Sequence, residues 1–213
     1  VVYNEIEIPR GGEFDLVLAD GTQVWLNAES RLRYPVEFSG KERKVVLEGE
    51  AYFQVKKNPS LPFRVEIRNQ VIEVLGTEFN VSGYKDEVHV YTTLVNGKVK
   101  VATTGRDMTL LPGEQCVLDT GDGSMIRQQV DVDKIISWKK GKFILEEQTL
   151  EQIMQKLARW YDITVFYQNP ALKNKVFKGS VPRYAELQQV LNILEKTGEV
   201  QFHIQNRTVI VKE

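Results

Sequence analysis

The chain has little of what covalent and metal chemistry needs: among 213 residues there are one cysteine and two histidines. Cys116 cannot close an internal disulfide, and a lone buried thiol is ordinarily a small hydrophobe, so no disulfide framework organises the fold. His89 and His203 are far apart, each without a second Cys or His at ligand spacing, which favours a structural role over a metal site. No apolar run approaches the roughly 18 to 20 residues that a membrane helix requires. Val1 opens the chain without a signal peptide or an initiator Met, and the expectation is a soluble fragment of something longer. An excess of one charge is also missing. With 28 Lys and Arg against 29 Asp and Glu, the net charge is −1, so no bulk positive field exists to hold nucleic acid or an anionic bilayer.

Catalytic motifs are missing too. Neither G-x-x-x-x-G-K-[ST] nor G-x-S-x-G occurs, and Gly121 and Gly123 form only a G-x-G fragment with no helix after it. The stretch Asp119-Thr-Gly-Asp-Gly-Ser124 has calcium-loop residues at the wrong spacing and no closing Glu, so it reads as a loop of turn formers. Acidic residues are plentiful, but nothing in their order singles out a glycosidase pair. The expectation is no enzyme, no cofactor and no metal.

What is present is ordinary globular material, 42% hydrophobic and 27% charged, and area scaling at this length buries about 72% of the unfolded surface. From Val1 to about Asp133 short alternating segments are broken by glycine turns, as in Ala51-Tyr-Phe-Gln-Val55, Phe63-Arg-Val-Glu-Ile67 and Val71-Ile-Glu-Val-Leu75. An apolar residue, a spacer and a glycine recur before strands at Leu47-Glu-Gly49, Leu94-Val-Asn-Gly97 and Leu111-Pro-Gly113, which suits either a solenoid-like twist or a sandwich.

From about Lys139 the texture changes. Residues 139–213 carry 12 Lys and Arg against 8 Asp and Glu, net +4, while residues 1–138 carry 16 against 21, net −5. Leu150, Ile153, Met154, Leu157, Ala158 and Tyr161 follow a helical period, with Thr149 and Gln152 placed for a capping box. A second period runs through Leu187, Val190, Leu191 and Leu194 and stops at Thr197-Gly198. With strands flanking both helices, the order is β-α-β-β-α-β-β, a small mixed sheet with helices on one face. Two domains follow, 1–133 all β and 139–213 α/β.

The glycine-strand motifs of the first segment carry a resemblance. Leu18-Ala-Asp20-Gly21-Thr22-Gln-Val24-Trp25-Leu26-Asn27, Gly49-Glu50-Ala51-Tyr52-Phe53-Gln-Val55 and Val74-Leu75-Gly76-Thr77-Glu-Phe79-Asn80-Val81 look like the periplasmic domain of the FecR family of membrane-spanning anti-sigma regulators. Gln54 stands where that family commonly has an acidic residue, and Asn96 where Glu often precedes the glycine. The second segment, through Arg159-Trp160-Tyr161-Asp162, Phe177-Lys-Gly179 and Thr197-Gly198, resembles the C-terminal domain that accompanies FecR domains in Bacteroidetes-type bacteria, and its element order is similar to secretin and TonB short N-terminus domains.

That resemblance implies a sensor and relay without an active site. In the family a cytoplasmic segment, absent from this chain, holds an extracytoplasmic-function sigma factor, a single inner-membrane helix follows, and the periplasmic part receives a signal from the N-terminal signalling domain of a TonB-dependent outer-membrane transducer. Regulated proteolysis then frees the sigma factor to transcribe nutrient-uptake genes. The partner contact is expected on the second domain, either by edge-strand pairing at Thr208, Val209, Ile210 and Val211 or through an exposed helix face at Arg159 and Trp160. A carbohydrate-binding or adhesion module is the alternative function, since Trp25, Trp160 and eight tyrosines could stack on sugars.

Overall fold

The computed structural model describes residues 1–145 and 147–213. Chain contacts divide it into Val1–Ile135 and Ile136–Glu213.

The first unit is built from strands β1 (Tyr3–Ile8), β2 (Phe14–Val17), β3 (Gln23–Leu26), β4 (Ser30–Pro35), β5 (Arg43–Gln54), β6 (Phe63–Ile67), β7 (Gln70–Val74), β8 (Glu78–Gly83), β9 (His89–Asn96), β10 (Val99–Thr103), β11 (Arg106–Leu110), β12 (Glu114–Asp119) and β13 (Met125–Gln129), followed by the helical turn α1 (Val132–Ile135). They pair into two leaves, β1-β4-β5-β6-β7-β10-β11 and β2-β3-β5-β8-β9-β12-β13, with β5 common to both. β11 lies against β12, so the leaves also meet far from β5. Of the two architectures that the glycine spacing allowed, this is the layered one.

β5 can serve both leaves because it turns a corner. Its first half pairs with β4 and β6, and from Gly49 onward it pairs with β3 and β8. Gly49 has φ of +89°, and a Cβ there would lie 2.8 Å from Ser30 Cα and 2.9 Å from the Glu29 carbonyl oxygen. Only glycine fits the corner without moving β4. Buried and half-buried positions alternate along β5 until Ala51, Tyr52 and Phe53, all buried. Inward residues of both leaves form one core in which Phe53 stacks on Phe79 at 5.1 Å, with Phe63 at 6.0 Å and Cys116 fully enclosed.

The second unit opens with a 3-10 turn (Ile136–Lys140), then β14 (Lys142–Ile144), β15 (Gln148–Thr149), α2 (Leu150–Tyr161), β16 (Thr164–Tyr167), a second 3-10 turn (Pro170–Asn174), β17 (Val176–Phe177), β18 (Ser180–Pro182), α3 (Leu187–Glu195), β19 (Gln201–Gln205) and β20 (Thr208–Lys212). The chain is thus mainly β, with an all-β sheet domain first and a mixed β/α domain second. The sequence-predicted order is present, with β15, β18 and the 3-10 turns added. The capping box forms as spaced: the Gln152 amide donates to Thr149 Oγ1 at 3.3 Å, and the Thr149 amide donates to Gln152 Oε1 at 2.9 Å. The buried faces of α2 and α3 share a core with Val209 and Val211 of β20.

In place of the expected single mixed sheet, the strands of this unit form three: the antiparallel pairs β14-β18 and β15-β17, and a three-stranded sheet of order β16-β20-β19, with β16 parallel to β20 and β19 antiparallel to it. This corrects the expectation that Thr208, Val209, Ile210 and Val211 form an edge. Neighbours already hold that strand on both sides, so it has no free row of backbone groups with which to accept another strand.

Candidate partner-binding surface

In the first unit the family-like motifs build a hydrogen-bonded frame, not a reactive centre. Asp20 closes a turn on itself: its carboxylate accepts from the Thr22 amide at 3.0 Å and from the Thr22 hydroxyl at 2.7 Å. The same carboxylate meets Arg43 Nη1 at 2.6 Å, and Arg43, 1% exposed, also donates to the Lys56 and Leu61 carbonyls. A buried arginine therefore ties the Asp20-Gly21-Thr22 turn to the chain leaving β5. Glu50 accepts from Asn27 at 2.7 Å and from Asn80 at 3.0 Å, linking β3, β5 and β8 across one face.

Glu78 is the centre of a second cluster, accepting from the Tyr52 hydroxyl at 2.9 Å and from Gln54 Nε2 at 3.3 Å. Burial, with the Glu78 carboxylate beside it, raises the Tyr52 hydroxyl well above its ordinary range. Gln54 and Asn96 flank Glu78 in strand register. The two departures from the family pattern are therefore neighbours, and an acid at either position would set a second carboxylate against Glu78.

In the second unit the candidate residues fall into different environments. Val209 and Val211 are fully buried in the helix-facing core, while Thr208 and Ile210 are half-buried on the opposite face. Ile210 lies in register between Phe166 of β16 and His203 of β19, a transverse row in which Phe166 is 57% exposed. Arg159 is buried at 4% exposure, so it presents no open contact surface. Trp160 is half-buried and committed within the unit: its indole Nε1 donates to the Arg183 carbonyl at 2.6 Å, and the Arg183 guanidinium stacks 3.9 Å from its ring centroid.

Sequence reasoning missed Arg183, which organises this region. It is fully buried, with the rings of Trp138 and Phe143 each 5.5 Å away, and its carbonyl also accepts from the Tyr161 hydroxyl at 3.4 Å. A guanidinium suits such a site because it is planar and weakly hydrated, so aromatic faces can replace water around it. The available signal was the supply of aromatic residues, Trp138, Phe143 and Trp160, with one arginine just ahead of α3. In the first unit Trp25 packs edge-on against Tyr52 at 5.6 Å. Trp25 and Trp160 are both engaged with their own unit, which weakens the sugar-stacking alternative.

His89 Nε2 lies 3.5 Å from Asp119, and His203 is exposed on β19. Among the described residues no three His, Cys, Asp or Glu side chains group as a metal would require. No helix among them is long and apolar enough to cross a membrane.

Residues 4–100 match the family described as FecR protein, and residues 142–211 match the one described as FecR, C-terminal. The chain belongs to the FecR family. Two solved structures, each of a candidate anti-sigma factor from Parabacteroides distasonis ATCC 8503, are 28% identical to it. One superposes with a TM-score of 0.92, covering 99% of either chain, and the other with 0.91, covering 100% of this chain and 99% of that one. No curated protein matches the chain. FecR proteins are membrane anti-sigma regulators with a periplasmic region and are not an enzyme family, so a sigma factor is the partner that membership implies.

Proposed function

We propose that this chain is the periplasmic signal-receiving region of a single-pass inner-membrane anti-sigma factor. It relays the state of a TonB-dependent outer-membrane receptor to an extracytoplasmic-function sigma factor and so controls nutrient-uptake genes. The observation that carries this reading is the pairing of both FecR-family segments in one chain with near-complete likeness to solved candidate anti-sigma factors. The first unit, a frame tied together by the Asp20–Arg43, Glu50 and Glu78 contacts, serves as the scaffold. The second unit, with β19 at a sheet edge and an exposed Phe166, serves as the receiver. Partner binding by Arg159 and Trp160 becomes indirect here: they hold the receiver's shape. The test is calorimetric titration of the chain with the N-terminal signalling domain of the receptor encoded beside it, paired with a sigma-dependent reporter in cells. Saturable binding and receptor-dependent reporter output are expected. Retention of glycans in place of the receptor domain would overturn the relay in favour of a carbohydrate module.

A further inference from the structure

β19 is an edge strand, and its outer side holds an unusual contact. The two-residue turn Asn206-Arg207 makes Gln205 and Thr208 a bonded pair, so bonding to β20 alternates along β19 and leaves the amides and carbonyls of Phe202 and Ile204 pointing away from the sheet. The Phe202 amide donates to the Glu195 carboxylate at 2.7 Å. Glu195 ends α3, in a last turn with no basic residue, where the helix dipole opposes a negative charge. A carboxylate that breaks the helix rule and sits on a strand-edge donor blunts that edge. The opposite edge is different, because β16 has the 3-10 turn Pro170–Asn174 packed beside it.

Building on the relay proposed above, we infer that β19 is the edge on which an extended strand of the receptor domain docks, and that Glu195 is an intrachain plug the incoming strand displaces. The occupant's chemistry follows from the edge. Phe202 and Ile204 point toward the core and stay half-buried, whereas Gln201, His203 and Gln205 are exposed on the other face. A pairing segment therefore alternates apolar residues beside Phe202 and Ile204 with uncharged polar residues beside the two glutamines. Removing the plug leaves the edge donor free and eliminates the competitor.

The experiment uses the full chain and amide exchange resolved at single residues. In the free protein, Glu195→Ala speeds exchange at Phe202 while the core amides of β20 keep their protection. Titration with the receptor signalling domain then slows exchange at Phe202 and Ile204, and Glu195→Ala tightens binding about three- to tenfold, the worth of one net hydrogen bond. Ile204→Pro, which removes an outward donor and leaves the hairpin bonds, weakens binding at least about tenfold. If that variant unfolds, the Glu195→Ala and exchange results decide alone. Receptor domain binding with no change at these two amides, and with equal affinity for Glu195→Ala, overturns the edge assignment and leaves the relay intact. No binding by either protein overturns the relay and this inference with it.

Discussion

Cys116 faces the core between β9 and β13 with no exposed surface, and burial pushes its thiol from an ordinary 9.0 up to about 11. At neutral pH the thiolate is scarce and shielded, so a thiol reagent is expected to label the native protein only as fast as the chain opens, as time-resolved mass measurement would show. The sign of the pH effect follows from the raised value. Folding favours the protonated thiol, so its contribution is whole below pH 9 and is lost as the pH rises through about 11. Urea unfolding from pH 8 to 11 should fall more steeply for the wild type than for Cys116→Ala. Arg183 gives the second prediction at this scale. Arg183→Ala removes a stacked guanidinium and leaves a hole among Trp138, Phe143 and Trp160, a loss of about 3 kcal/mol read in the urea midpoint by tryptophan emission. Single residues were the least legible part of the sequence. That Cys116 would be inert could be read from the lack of any Lys, Arg or His within two residues, but Arg183 could not be recognised, since its aromatic partners lie up to 45 residues away along the chain, at Trp138. Gln54 and Asn96 looked like unrelated departures until the register set both beside Glu78.

At the scale of elements, local rules succeeded where the signal is local. The α2 capping box was legible because a hydroxyl and an amide three residues apart must meet once a helix begins, and Thr149→Ala should cost about 1 kcal/mol in thermal unfolding. Gly49→Ala should cost more, about 2–4 kcal/mol, because the new methyl would meet β4 backbone while the residue stays at positive φ. The position of β20 was not legible. Alternation shows which face of a strand is buried, but a central strand and an edge strand covered on one side alternate alike, and strand order depends on partners remote in sequence. One cue was present: Thr208-Val-Ile-Val211 is denser in β-branched residues than Gln201-Phe-His-Ile-Gln205, as befits the strand with two neighbours.

For the whole molecule, the change in texture and charge near residue 135 reflects two separately organised cores. We propose that each folds alone: residues 1–135 and 136–213, produced separately, should each unfold cooperatively, the second with the helical circular dichroism. The two units carry opposite net charge, −5 and +4, because residues 136–138 add none to the counts above. An acidic partner of the second unit should therefore associate more slowly as salt rises, with its dissociation rate little changed, which stopped-flow mixing can measure.

The central place of β20 governs how the second unit comes into being during synthesis. Thr164 of β16 pairs with Thr208, 44 residues later, and β19 has its hairpin partner only in that same strand. A ribosome that has made α2, β16 and α3 has made both helices but neither ladder of the three-stranded sheet. Until residues 208–212 emerge, the apolar faces of α2 and α3 lack Val209 and Val211, and that side of the core stays open. Completion is then abrupt, because one five-residue strand supplies both ladders at once. Cleavage before Thr208 would for the same reason remove both ladders of the three-stranded sheet in one step.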